Sequence, residues 1–292
     1  MRALIDEFIS RHALPAHYRD TAERHVLPLA DWIAACLEPG ATLILGINGA
    51  QGTGKSTLAL LLQRLLESRG NLRIALLSID DFYLTLAERE RLAANVHPLL
   101  RTRGVPGTHD VALLQQTLER LALLAAGQAT SLPRFDKGRD DRDDAAHWGR
   151  VNGPVDLVIL EGWCVGSVPQ PAGELLVPLN SLEREEDADA AWRRYVNDQL
   201  GAAYASVFSL LGKLVFLQAP DFASVERWRL QQEEQLQQGS AVMSAAQIAR
   251  FVLYFERLTR ANLQQMPGAA DVVLELDRDH RCVASYYRGR AA

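Results

Sequence analysis

The run Gly49-Ala50-Gln51-Gly52-Thr53-Gly54-Lys55-Ser56 has the spacing G-x-x-x-x-G-K-S, and the chemistry open to that spacing is phosphate binding. Glycines let successive backbone N–H groups converge on one anion, the N-terminus of a following helix adds partial positive charge, and Lys55 reaches the β and γ phosphates of a nucleotide. Ser56 is the expected Mg2+ ligand, and the nucleotide site runs on to Thr57. Further acids end two apolar runs: Asp80 and Asp81 in Ser78-Ile79-Asp80-Asp81-Phe82-Tyr83, and Glu161 in Val158-Ile159-Leu160-Glu161-Gly162. Beside a nucleotide carrying Mg2+, one carboxylate can accept the proton of an acceptor hydroxyl while another holds the metal, directly or through water. Asp81 reads equally as a cap or turn residue, and Glu161 has a lesser reading as a structural hydrogen-bond acceptor.

Groups this far apart in sequence act together only if a scaffold brings their loops to one edge. Thr42 to Ile47 is a short apolar run that breaks into the glycine-rich turn, the pattern of a buried parallel strand. Similar runs occupy Arg73 to Ile79, Val155 to Glu161, Lys213 to Gln218 and Asp271 to Leu276. Helical patterns separate them, at Lys55 to Ser68, Asp110 to Ala126, Ala188 to Leu211, Phe222 to Gln238 and Ala245 to Leu263, the last opening on Ser244 and Gln247 in capping-box spacing. Strands alternating with helices imply a parallel sheet covered on both faces, whose ligands lie beyond the carboxyl ends of the strands. The expected fold is therefore α/β, a P-loop NTPase fold with a five-stranded, mostly parallel sheet. Residues 1–38 read as a helical N-terminal extension with Pro28 as a kink or restart, and 39–292 as one α/β domain with substrate and lid insertions.

Thirty-one Lys and Arg against 36 Asp and Glu give a net charge of −5, so the molecule presents no basic field to nucleic acid or anionic lipid, and any phosphate chemistry is local. No segment has the apolar length of a membrane span, and the charged first turns do not read as a signal peptide. Cys36, Cys164 and Cys282 lack metal-ligand spacing and read as reduced thiols in a cytoplasmic protein.

Five segments carry a family likeness: SIDDFYLT from Ser78, NVHPLLRTRGVPGTHD from Asn95, LPRFDKGRDDR from Leu132, VILEGWCVG from Val158 and VPLNSLEREED from Val177. With them, from about residue 40 to 276, the chain resembles the D-glycerate 3-kinase family of plants and its fungal and bacterial relatives, within the wider P-loop group of pantothenate kinase, uridine kinase and phosphoribulokinase. The resemblance implies an ATP-dependent phosphotransferase with an alcohol acceptor, converting D-glycerate to 3-phosphoglycerate with Mg2+. Asp80 matches the family's base, in an Asp-x-Phe-Tyr-like segment, with Lys55 and Glu161 as its partners in catalysis and Ser56, Asp80 and Glu161 around the metal. Asp81 and Tyr83 fall on the substrate side.

The resemblance also places Gly104 to Asp110 as the acceptor-binding segment, which brings in His109 and Asp110; from the residues alone Asp110 reads as a helix N-cap and His109 as a structural hydrogen-bonding group. The run RFDKGRDDR becomes a substrate- or phosphate-facing loop with Asp136, Lys137, Arg139 and Arg142 as candidates. Arg227 and Arg229 stand where related kinases carry the arginines of a lid over ATP, and this lid is arginine-poor. The expected acceptor segments supply Arg101, Arg103, Arg134, Lys137, Arg139 and Arg142 but one aromatic, Phe135, which favours a small hydroxy-acid over a nucleoside. Phe82, Tyr83 and Trp163 leave a base slot, and hence a pantothenate- or nucleoside-like acceptor, as the alternative. A regulatory ATP-binding protein is the rival from another class: Leu182 to Tyr195 could form an acidic docking surface, although no N-K-x-D or LSGGQ signature is present.

Overall fold

The computed structural model describes residues 1–235 and 244–289. Six strands form the central sheet: β1 (Leu43–Gly49), β2 (Ile74–Ser78), β3 (Leu157–Gly162), β4 (Lys213–Gln218), β5 (Val272–Leu276) and β6 (Cys282–Tyr287). Their order is β6-β5-β4-β1-β3-β2. β1 through β5 pair in parallel and are the five strands expected from the apolar runs. β6 adds an antiparallel edge to β5, with a bulge between Cys282 and Ala284. Its sequence, CVASYY, has no continuous apolar run because Val283 and Tyr286 face solvent.

The parallel strands obey a two-residue period that splits the core. Leu45, Ile47, Leu157 and Ile159 pack into one layer, while Ile44, Val158, Leu160 and Leu77 pack into the other. The first layer is covered by the Lys55–Glu67 helix, whose Leu58, Leu61, Leu62 and Leu65 are all buried, and by the N-terminal helices. Arg2–Arg11 and the helical stretch 18–35 contribute Ile5, Phe8, Val26, Leu29 and Ile33 to that same layer, so residues 1–38 share the core of the sheet. The backbone widens to a π turn over Ala22–Val26 just before Pro28, whose missing N–H removes one α-helical hydrogen bond at that point. The second layer is covered by Val111–Ala122, the stretch 191–208 and the middle of the long Ala245–Ala269 helix. That last helix opens with Ser244 and Gln247 in a completed capping box. The helix expected from Phe222 to Gln238 is described over Phe222–Gln235, and its remaining positions lie outside the described residues.

Between β2 and β3 the chain makes two antiparallel ribbons, Ala129–Leu132 with Gly149–Asn152 and Phe135–Asp136 with Asp141–Arg142. The charged run GRDDRDD falls in and after the turn of the shorter ribbon. The acidic segment between β3 and β4 departs from the expected docking surface. Glu183, Asp187 and Arg193 are buried there, with Arg193 paired to Asp187 at 2.7 Å and Arg257 to Glu183 at 2.6 Å. Glu183 and Asp187 serve internal ion pairs, and helix 181–186 packs against the long C-terminal helix, while Glu185, Glu186 and Asp189 stay exposed.

β1 lies between β3 and β4, so successive crossovers leave it in opposite directions. The resulting crevice opens at the carboxyl ends of β1, β2 and β3, the edge at which the phosphate loop and all the candidate carboxylates emerge.

Candidate active site

The loop after β1 is built as its glycines require. Gly52 and Gly54 have φ of +79° and +88°, a left-handed conformation costly for residues with a side chain, and a Cβ on Gly52 would lie 2.8 Å from that of Trp228. Thr53 Oγ1 donates to the Ala50 carbonyl at 2.8 Å and holds the turn closed. Gly54 occupies the N-cap of the Lys55–Glu67 helix, so the unpaired N–H groups of its first turn open onto the loop. Lys55 Nζ donates to the Ala50 carbonyl at 3.3 Å, lying over the loop it would serve.

Strand register brings the next group in. Glu161 is aligned with Ile47 of β1 on one side and Ser78 of β2 on the other, and its buried carboxylate accepts from Ser56 Oγ at 2.9 Å. Among the described residues it has no ion-pair partner. A buried carboxylate without a cation is costly, and a carboxylate beside a hydroxyl is an all-oxygen donor set of the kind Mg2+ takes, so these residues fit the metal.

Asp80 and Asp81 part company in the turn Ile79–Phe82. Asp80 accepts from the Tyr83 hydroxyl at 2.8 Å through Oδ1 and from Lys137 Nζ at 2.7 Å through Oδ2. Burial would raise its pKa, but the Lys137 charge, that hydrogen bond, Tyr83 and Lys55 together outweigh it and hold the carboxyl below the usual range. Asp81 instead accepts from the Phe135 N–H at 3.2 Å and faces Arg134 at 3.7 Å, with burial pushing its pKa up. Its contacts anchor the short ribbon.

Tyr83 stacks on His109 with ring centroids 4.6 Å apart and meets the edge of Phe135. His109 is buried and its Nδ1 lies 2.6 Å from the hydroxyl of Tyr204, which in turn accepts from the Gly107 N–H at 2.9 Å. The hydroxyl has a proton to donate and a neutral ring nitrogen a lone pair to receive it; with the bond in that direction the imidazole carries hydrogen on Nε2. Among the described residues Nε2 has no hydrogen-bond partner. Burial, only partly opposed by the Asp80 charge, lowers the His109 pKa to about 4. The neighbouring Asp110 caps the Val111–Ala122 helix through Leu113 and accepts from Arg142 at 2.9 Å, so the cap and the site contact coexist in one carboxylate.

The rest of the charged ribbon is mostly self-paired. Arg103 and Arg89 both hold Asp140, while Asp136 caps its own turn by accepting from the Gly138 and Arg139 N–H groups. Arg139 pairs with Asp136 and Asp143, and Arg101 with Glu90 on the surface. The two lid arginines are not gathered at this cluster. Arg227 donates to the Arg278 carbonyl in the turn after β5, and the Arg229 guanidinium lies 5.7 Å from the Phe251 ring centroid. Phe82 and Trp163 are also committed elsewhere: both are buried, and Trp163 Nε1 donates to the Gly104 carbonyl. The imagined base slot is therefore core packing.

Tyr204 and Arg89 had no distinguishing sequence signal, since each acts on residues far from it in the chain. His280, 2.8 Å from the Gly52 carbonyl and stacked on Trp228, braces the phosphate loop from behind in the same way. Asn48 could have been flagged as a polar residue next to the loop at the end of an apolar strand; it is fully buried and donates to the Val165 carbonyl.

No family model matches the sequence. It is similar to an uncharacterized kinase of Schizosaccharomyces pombe, with 40% identity over 205 residues, 68% of this chain and 72% of that protein. It is also 34% identical to the chloroplastic D-glycerate 3-kinase of Arabidopsis thaliana over 252 residues, 81% of this chain but only 52% of the plant protein, so it spans about half the plant enzyme's length. Among solved structures, D-glycerate 3-kinase from Cryptococcus neoformans var. grubii superposes with a TM-score of 0.74 at 26% identity, covering 94% of this chain and 99% of that one.

Proposed function

Because the chain belongs to the family of ATP-dependent P-loop kinases that includes D-glycerate 3-kinase, we propose that it phosphorylates a small hydroxy-carboxylate, D-glycerate, to 3-phosphoglycerate. The observation that carries this acceptor is the pairing of Asp80 with Lys137 at 2.7 Å, a base and an exposed cation side by side at the mouth of the crevice. Phe82 and Trp163, which a nucleoside base would need, are buried in packing.

In this reading the N–H groups of Gly49 to Thr57 and the Lys55 ammonium receive the ATP phosphates, and Lys55 offsets charge on the phosphoryl group in transfer. Ser56 and Glu161, with Asp80 nearby, would hold Mg2+, which neutralises phosphate charge when bound. Asp80 accepts the acceptor's hydroxyl proton. Tyr83 fixes the carboxylate's orientation by its hydrogen bond, and the neutral His109 offers Nε2–H to an acceptor oxygen. Arg142 and Asp110 hold the ribbon against this segment, while Asp81 and Arg103 set its position. Arg227 and Arg229 belong to a helix that packs against the phosphate loop at Gly52, where a lid would act. Among the described residues Cys36, Cys164 and Cys282 form no disulfide with one another, which suits a reducing compartment, and we place the activity in the cytoplasm; among the described residues no helix is long and apolar enough to cross a membrane.

The test is a panel of D-glycerate, L-glycerate, pantothenate, uridine and ribulose 5-phosphate with coupled ADP detection. D-glycerate should give the highest kcat/KM. Preference for uridine or pantothenate overturns the acceptor and leaves a kinase; ADP release indifferent to every acceptor points to the regulatory alternative.

A further inference from the structure

In the structure both oxygens of Asp80 are occupied, Oδ1 by the Tyr83 hydroxyl and Oδ2 by Lys137. Each oxygen keeps a second lone pair, but a carboxylate bound on both sides and facing an ammonium is a poorer acceptor for an acceptor's hydroxyl proton. Tyr83 is buried and belongs to the stack with His109, so its contact is fixed. Lys137 differs: its side chain is 60% exposed and stands in the turn of the Phe135–Asp136/Asp141–Arg142 ribbon.

The frame around Lys137 is held independently of it. Asp81 binds the Phe135 N–H, Arg89 and Arg103 hold Asp140, Arg142 holds Asp110, and Asp136 caps the turn itself. Arg134 and Arg139, its neighbours in the ribbon, pair with Asp81 and with Asp136 and Asp143, carboxylates that belong to the same frame. Lys137 alone among these cations is paired with the proposed base. Its long, rotatable side chain can leave Oδ2 while the ribbon stays in place. The lysine end of the pair is exposed to solvent, so a second carboxylate arriving nearby can compete for the ammonium.

We infer that Lys137 is an exchangeable latch: its ammonium pairs with Asp80 until the carboxylate of an incoming hydroxy-acid draws it away from Oδ2. The inference rests on the reading of Asp80 as base and of the acceptor as an anion. Once Oδ2 is free, the acceptor's O–H proton passes to it as the acceptor oxygen bonds to the γ-phosphorus. The bond from that phosphorus to the β,γ-bridging oxygen breaks, and ADP leaves with the bonding electrons. Water brings no carboxylate. The latch therefore stays closed against ATP hydrolysis, and the same lysine selects anionic over neutral alcohols.

Three activities read the latch in wild type, Lys137→Met and Lys137→Arg: phosphorylation of D-glycerate, phosphorylation of glycerol, and ATP hydrolysis without acceptor, the last also with added propionate, a carboxylate with no hydroxyl to phosphorylate. Lys137→Met should raise the KM for D-glycerate about 10- to 100-fold, the loss of one charge-assisted contact. Glycerol turnover should not fall, and acceptor-free hydrolysis should rise several-fold, on the order of the effect of releasing one general base from an ion pair. Propionate should stimulate hydrolysis in wild type and not in Lys137→Met, and Lys137→Arg should restore acceptor binding and the low hydrolysis. Equal losses on D-glycerate and glycerol, or acceptor-free hydrolysis that does not rise in Lys137→Met, overturn the latch. Failure of the underlying reading has another signature, full turnover of D-glycerate by Asp80→Asn.

Discussion

The Tyr204 hydroxyl hydrogen-bonds Nδ1 of His109 across 2.6 Å, linking two residues that lie 95 positions apart in the chain. The same oxygen accepts the Gly107 N–H. The pair therefore joins the helical stretch before β4 to the segment that faces Asp80, and it leaves His109 as a neutral ring with one defined donor, Nε2–H.

Tyr204→Phe removes that relation with almost no change of shape. The Gly107 N–H and His109 Nδ1 are then both left buried and unpaired, at about 1–3 kcal/mol each. Urea unfolding should show a loss of about 2–6 kcal/mol with an unchanged m-value, and the imidazole tautomer should no longer be fixed, so KM for the acceptor should rise more than kcat falls. A variant as stable as the parent would mean that the hydroxyl does not hold the segment.

His109 also makes the fold acid-sensitive. Its pKa falls from an ordinary 6.5 to about 4 on folding, so the folded state binds its proton less readily than the unfolded one. The associated stability is complete above pH 6.5 and is lost as pH falls through about 4, a span worth on the order of 3 kcal/mol. His109→Asn, whose Oδ1 can still accept from Tyr204, should lose less stability than wild type between pH 6.5 and 4. Parallel pH–stability curves for the two proteins would exclude this source.

The phosphate loop and the strand-end acids were legible because each is a local pattern: a glycine spacing, or a carboxylate closing an apolar run. Asp110 was legible as a helix cap, since capping is local, but its pairing with Arg142, 32 residues on, was not. Residues whose meaning is tertiary were not. Nothing near Tyr204 or Arg89 announces Gly107, His109 or Asp140 as partners. Glu183 looked like part of a solvated face because its cation, Arg257, is 74 residues beyond it. β6 stayed hidden for a related reason, an edge strand having no second buried face to write into its sequence.

Arg257 and Glu183 test the corrected reading of that acidic segment. Glu183 is fully buried and receives Arg257 through both oxygens, each at 2.6 Å. Arg257→Ala strands the carboxylate and should cost about 3–5 kcal/mol, whereas the double replacement Glu183→Leu with Arg257→Met should recover most of it, because well-packed apolar pairs commonly match buried ion pairs. If Arg257→Ala unfolds at the same urea concentration as wild type, the segment is a surface after all.

Asp80 and Asp81, adjacent in sequence, should fail differently when each becomes asparagine. Asp80 turns both oxygens toward Tyr83 and Lys137 at the mouth of the crevice, while Asp81 is spent on the backbone of Phe135 and on Arg134. An amide at position 80 is nearly isosteric and cannot take a proton. Asp80→Asn should therefore bind ATP normally and lose about 10²- to 10⁴-fold in kcat, the usual range for general base catalysis. At position 81 the amide can still accept from the Phe135 N–H but no longer attracts Arg134, so Asp81→Asn should loosen the ribbon and raise KM for the acceptor by less than about tenfold, with kcat nearly kept. Steady-state kinetics with saturating ATP separate the two. A crippled Asp81→Asn beside an active Asp80→Asn would move the base one residue along the turn.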